Sequence, residues 1–299
     1  MSALKTLVWR NSKLFFKDKG TFFTSLITPV ILLVLYVTFL ANVYRDSFLA
    51  SVGQGVQISE EILNSLVGGQ LVSSLIAVSC VTVAFCANMR MVDDKVTGAV
   101  NDLTIAPIKG SVMALGYYLS TVITTLLICL FALCICLVYL FSVGGSLGAG
   151  DILLLALDTF LLVMFGTALS SVINFFLSSQ GQISAVGTIV SSGYGFICGA
   201  YMPISSFPQG LQKVISFLPG TYGTSLVRNH ALMSAFEKME SEPMLRAAIE
   251  PIKNAVDCNL YFFGSRVETG TMYAVLIISI TVLMGIYVIM NIASSRKAR

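Results

Sequence analysis

Charge is what the sequence has least of. Asp, Glu, Lys and Arg make up 11% of its 299 residues, where soluble globular domains carry roughly a quarter. With 56% hydrophobic residues and a mean hydropathy of +0.86, disordered chains and ordinary soluble enzymes are excluded. A nucleic-acid binder needs clustered Lys/Arg and a pI above about 9, whereas the pI here is 8.4 and the net charge +3. Histidine occurs once, so no histidine cluster supports a metal centre or an intramembrane acid–base site. The seven cysteines include no C-x-x-C pair, which removes zinc and thioredoxin-type redox chemistry. Six lie in apolar runs, where a thiol is a small hydrophobe. Only Cys258 lies in a polar stretch, and free structural thiols are expected throughout. A Gly-Lys dipeptide is also missing, and with it the P-loop that grips nucleotide phosphates. No catalytic residue, metal ligand or cofactor of the chain's own is expected. A polytopic membrane protein remains.

Long apolar runs fill that class. A crossing helix takes about 20 mostly apolar residues. Six segments qualify: 21–42, 66–87, 111–141, 152–177, 183–202 and 271–291. The expected fold is all-α with six transmembrane helices, the third long enough to tilt or project. Lys5, Arg10, Lys13, Lys17 and Lys19 precede the first run, Arg90, Lys95 and Lys109 follow the second, and Arg296, Lys297 and Arg299 follow the sixth. The opposite short loops hold only Arg45, so the positive-inside bias puts both termini in the cytoplasm. The first apolar run follows a long charged stretch, so no cleavable signal peptide is expected.

Residues 1–19 have helical periodicity. Leu4, Leu7, Val8, Leu14 and Phe15 share one face and Arg10, Lys13 and Lys17 another, while Trp9 and Phe16 fall off the stripe. Such a helix lies in the membrane interface with its basic face on anionic lipid, as a topology anchor or as a docking element. The stretch 88–110, NMRMVDDKVTGAVNDLTIAPIKG, is the one substantial loop on the same side. Val92, Val96 and Val100 predict a short amphipathic helix within it, stopped by Pro107. This loop is either simply solvated or the docking point of a soluble partner.

The fifth run carries Gly187, Ser191, Gly195 and Gly199 four apart, a small-residue ridge that suits close helix packing, within the subunit or at a two-fold interface. Beyond it, 201–228 is punctuated by Pro203, Pro208 and Pro219 around an apolar piece too short to cross. An interfacial loop or an outer re-entrant helical hairpin fits that pattern. Residues 229–270 read as a polar outer extension, helical over 236–254 and broken by Pro243 and Pro251. Its His230 has no partner nearby in sequence and is expected to be solvated. Asp158 lies inside the fourth run, either snorkelling to the interface or paired with Arg228 or Lys213 as an outer latch.

Taken in order, the basic helix followed by TFFTSLITPVILLVLYVTFL, the loop MVDDKVTGAVNDLTIAPIKG and the stretch GAYMPISSFPQGLQKVISFLPGTYGTSLVR resemble ABC-2-type transporter permeases. The resemblance covers essentially the whole chain and implies a single transmembrane domain over 1–299 of the type V exporter kind. It makes 1–19 the connecting helix, and it makes 88–110 a coupling loop in which Arg90, Asp93, Asp94, Lys95, Gly98 and Asp102 meet an ATP-binding subunit. ATP and Mg would be bound by that partner. It implies a second permease subunit and a translocation path lined from spans two and five by Gln70, Ser73, Ser74, Thr82, Ser192 and Phe196 beside the small-residue ridge. Residues 201–270 would hold the outer gate, with Pro203, Lys213, Pro219 and Arg228. LVGGQ at 66–70 imitates the nucleotide-binding signature LSGGQ, but it opens a span on the outer side, where two glycines at a helix start explain it. Compact polysaccharide exporters lack an insertion like 229–270, which favours export of a drug, peptide or lipid-like amphiphile across a bacterial plasma membrane. The rivals are a glycan exporter permease, an ion-coupled secondary transporter or channel, and an intramembrane enzyme, whose paired carboxylates or Ser/His arrangement are not apparent.

Overall fold

A computed structural model of the chain describes residues 3–52, 57–105 and 108–297. It is built almost wholly from helices. The first, α1 (Ala3–Lys17), is followed by α2 (Lys19–Leu35), capped by Asp18, whose carboxylate accepts from the Thr21 amide at 3.1 Å and hydroxyl at 2.9 Å. These two donors hold the Asp18 carboxyl below its ordinary pKa. The helix runs on through a π-helical turn, Tyr36–Leu40, into α3 (Ala41–Val52). The first span therefore does not end near residue 42, as its apolarity suggests. Tyr44, Phe48 and Val52 give α3 a buried face, and Arg45 clasps Glu60 at 2.5 Å.

The centre of the bundle is α4 (Glu60–Val96). Its apolar residues face every direction, as in a helix surrounded by protein, and its most apolar stretch is entirely buried. At about 1.5 Å per residue, 37 residues make a rod of roughly 55 Å, well beyond a bilayer's hydrocarbon thickness. Against it pack α2, α6 (Gly110–Ser142), α7 (Ala149–Phe175), α8 (Gln180–Ile197) and α10 (Pro219–Ala231), while α13 (Thr269–Lys297) packs on α6, α7 and α10. Asn88 of α4 donates to Ser170 and Ser171 of α7 at 3.0 and 2.8 Å. The LVGGQ glycines serve the same packing, since a Cβ on Gly69 would lie 2.7 Å from the Ala231 carbonyl.

Among the described residues, five helices are long and apolar enough to cross a membrane: Lys19–Val52, α4, α6, α7 and Thr269–Ser294 of α13. The fifth expected span appears as α8, only 18 residues long and diluted by Gly, Ser, Thr and Gln. It ends at Ile197 in a Schellman turn, where Ala200 donates to the Gly195 carbonyl at 2.9 Å and Gly199 takes φ +74°. Gly199 therefore stops the helix instead of extending the ridge. Gly195 is buried under the ring of Tyr201 from the same chain.

One feature at the α1 end departs from the sequence reading. The stretch 88–110 is not one loop with one helix: α4 runs on to Val96, a turn at Gly98 (φ +80°) breaks the periodicity, and α5 (Ala99–Ile105) follows. Val92 and Val96 thus belong to α4 and Val100 to α5, while Pro107 lies outside the described residues. Leu7 and Phe15 of α1 are buried, and the helix packs on α6.

At the opposite end, α9 (Gln209–Ile215) is a short exposed helix and α10 is buried along nearly its whole length. Next come α11 (Met233–Ser241), α12 (Arg246–Ala255) and a hairpin of β1 (Tyr261–Phe262) and β2 (Ser265–Arg266). The extension is folded, with Phe236, Met239 and Ile252 sharing a core with Tyr44, Phe48 and Leu66. Pro243 interrupts the helices as expected, but Pro251 sits inside α12. Cys258 is buried, and all seven thiols are free.

Candidate functional site

A cleft of about 1090 Å³ opens between the α2–α3 rod and α8. Ile27, Ile31, Leu35 and Phe39 form one wall, while Ser184, Gly187, Thr188, Ser191, Ser192 and Phe196 form the other. Cys86 and Met89 of α4 make its floor toward the α1 end, and Tyr201, Met202 and Pro203 border the far end. No charged side chain lines it among the described residues. The arrangement offers an apolar bed facing a column of hydroxyls, which suits a molecule with a greasy body and few uncharged polar groups. Tyr44 also borders the cleft, with its hydroxyl buried.

The small-residue face of α8 does border this space, through Gly187, Ser191, Ser192 and Phe196. Its partner wall is α2–α3, not the mid-part of α4. Gln70, Ser73, Ser74 and Thr82 are all buried in the core of the subunit. The hydroxyls of Ser73 and Thr82 are occupied by their own helix, donating to the Gln70 and Val78 carbonyls. No periodicity in the α2–α3 rod distinguishes Ile27 or Phe39 from lipid-facing residues, so sequence alone could not find that wall.

The last turn of α4 ties four neighbouring helices together. Asp94 is fully buried and accepts from Arg10 of α1 at 2.6 and 3.1 Å, from Arg90 at 2.7 Å and from Tyr117 of α6 at 2.7 Å. The Asp94 bond is the chief cause that raises the Arg10 pKa. Asp93 accepts from Gln180, at the start of α8, at 3.0 Å. Lys95 donates to the carbonyls of Phe175 at 2.6 Å and Leu177 at 3.3 Å, capping the end of α7. Three consecutive residues therefore hold α1 and α6, α7, and α8. Immediately beyond, Gly98 turns the chain into α5, where Asp102 is exposed and Ile105 is 83% exposed.

At the other end, Asp158 of α7 is buried, so it does not snorkel. Neither Arg228 nor Lys213 is its partner. Asp158 Oδ1 accepts from the Tyr273 hydroxyl of α13 at 2.6 Å, and Oδ2 lies 2.6 Å from His230 Nδ1 of α10. His230 is likewise buried, not solvated. The fully buried Arg228 donates to the carbonyls of Val256 and Gly199 at 2.6 and 2.8 Å and stands 3.6 Å from Asp257. Burial pushes the Asp257 carboxyl up to about 6, against the opposing pull of Arg228 and the Ile204 amide. Lys213 is exposed on α9, and Pro219 starts α10 at a position where its missing N–H costs nothing. Pro203 caps a short 3₁₀ turn at the mouth of the cleft.

The family model for the ABC-2 type transporter matches residues 2–232, from α1 through α10. No curated protein matches the chain.

Proposed function

Because the chain belongs to the ABC-2 type transporter family, we propose that it is the permease subunit of an exporter for a drug-, peptide- or lipid-like amphiphile, driven by ATP hydrolysis on a separate subunit. The carrying observation is the run Asp93–Asp94–Lys95, which joins the α5 turn to α1, α6, α7 and the cleft wall α8. A push delivered at α5 and at the exposed face of α1 reaches α8 through hydrogen bonds and packed helices. Such a rigid connection suits two-state switching of a cleft between accessible and closed forms.

In this reading 1–299 is one transmembrane domain in a bacterial plasma membrane. α8 supplies the sixth crossing, the α1 end faces the cytoplasm, and α9–α10 form the re-entrant hairpin at the exit. A second permease subunit closes the open side of the cleft, and the partner ATPase holds ATP and Mg. The charge-free lining favours an amphiphile over a glycan, whose hydroxyls would need polar partners along both walls. It also disfavours ion coupling, because Asp158 and His230, the buried acid–base pair, stand off the cleft.

The test is co-reconstitution with the genetically adjacent ATPase. Amphiphile-stimulated hydrolysis and uptake into inverted vesicles support the reading. Transport sustained by an ion gradient with no ATPase present overturns it.

A further inference from the structure

Phe217, at the end of α9, meets Phe262 and Phe263 of the hairpin, with ring centroids 5.1 and 5.9 Å apart, and the latter two rings lie 4.8 Å from each other. Chain segments more than forty residues apart are brought together, yet the product is not a core. Phe217 is 61% and Phe263 65% exposed, and Leu211 and Val214 extend the same uncovered apolar surface along α9. The turn that presents the rings holds Phe263 in the left-handed region at φ 48°, beside Gly264 at φ 87°. A bulky side chain in the left-handed region costs energy that a ring waving in water would not return.

We propose that this three-phenylalanine tip is a membrane anchor, inserted at headgroup depth into the leaflet at the end of the bundle away from α1. Connectivity sets its height. β2 ends at Arg266, and the crossing helix α13 begins at Thr269; α9 begins ten or so residues beyond the end of α8. The hairpin half of the tip is thus tethered at the start of a helix long and apolar enough to cross a membrane. The helix that follows the hairpin, α13, exposes Ile277 and Ile278. Lys213 on α9 and Arg266 on β2 flank the rings as cations that can meet lipid phosphates, although Arg266 also stands 3.5 Å from Glu250. Aromatic rings rimmed by snorkelling cations are the pattern of a bilayer interface. The hairpin lies beyond residue 232, where the family match ends, whereas Phe217 and α9 lie within it. The anchor braces α9 and the hairpin against the bilayer beside the far mouth of the cleft.

The sequence contains one tryptophan, Trp9. Trp9→Phe with Phe263→Trp therefore places a single reporter on the tip of the full-length chain. In nanodiscs of phosphatidylcholine and phosphatidylglycerol, its emission is expected to be blue-shifted. Chains brominated near the headgroup should remove about half of it, and iodide very little. Met244→Trp in the same background, on the exposed α11–α12 turn, should show the reverse. Leu211→Trp repeats the test from α9 should the hairpin variant fail to fold. Iodide quenching without bromolipid quenching puts the tip in water and overturns the proposal. Shielding from both, in a complex with another protein, overturns it in favour of a protein-covered surface. The readout needs neither transport nor ATPase, so it stands or falls separately from the proposed function.

Discussion

The guanidinium of Arg10 grips the Asp94 carboxylate with both terminal nitrogens, at 2.6 and 3.1 Å, across 84 positions of chain. The N-terminal helix is thereby fastened to the end of α4 that carries the α5 turn. Arg10→Ala should cost about 2 kcal/mol, the usual worth of a charge-assisted bond, read as a lower melting temperature in detergent and faster proteolysis of α1. The loss stays moderate because Arg90 and Tyr117 still serve Asp94. Arg10→Lys should recover only part of it, since an ammonium cannot copy the two-point grip.

Asp158 joins α7 to α10 and α13 through His230 and Tyr273. Asp158→Ala would leave the buried His230 unserved, at about 1–3 kcal/mol, and the half-buried Tyr273 at less. Asp158→Asn keeps an acceptor for Tyr273 and should unfold less readily than the Ala variant. If the three-helix knot holds the far end closed, Asn will reduce transport at undiminished expression. Unchanged transport by Asp158→Asn would show that the knot is only structural.

Asp257 gives a pH dependence with a definite sign. Its folded-state pKa of about 6 lies above that of an unfolded aspartate. The native state therefore holds the proton more tightly, and this stabilisation is complete below about pH 4. It is lost as pH rises through about 6 and stays lost above. The span corresponds to something on the order of 3 kcal/mol. Thermal unfolding between pH 4 and 7 should fall more steeply for the parent chain than for Asp257→Asn, which carries no titrating group at that position.

Ser191 and Thr188 face the cleft from α8, while Ile31 faces it from α2. Ser191→Trp should fill the space between the walls without disturbing the core, because Ser191 is not buried. Transport should fall at least tenfold with little change in melting temperature. Ser73→Ala, inside α4, should leave transport near the parent level.

Five of the six expected spans were legible because long apolar runs admit few alternatives, and the periodicity of 1–19 announced a helix. Position within the bundle was not legible. Asp94 reads as a loop residue only if α4 stops at the membrane surface, and its length of 37 residues carries it further. The acid in the fourth span drew attention to permanent cations, Arg228 and Lys213, whereas its partners are the lone histidine and a tyrosine 115 positions away. Gly199 matched a four-residue spacing, but its φ of +74° belongs to a helix stop. In each case the missing information was which helix stands beside which, and side-chain spacing along one helix does not carry it.

The most direct measurement concerns Ile105, which projects from α5 with 83% of its surface uncovered. A photocrosslinking residue there, activated in cells, should form an adduct with a nucleotide-hydrolysing subunit whose yield changes when ATP hydrolysis is arrested. Adducts with lipid alone, or with proteins that bind no nucleotide, would contradict the account that force enters the permease through this turn.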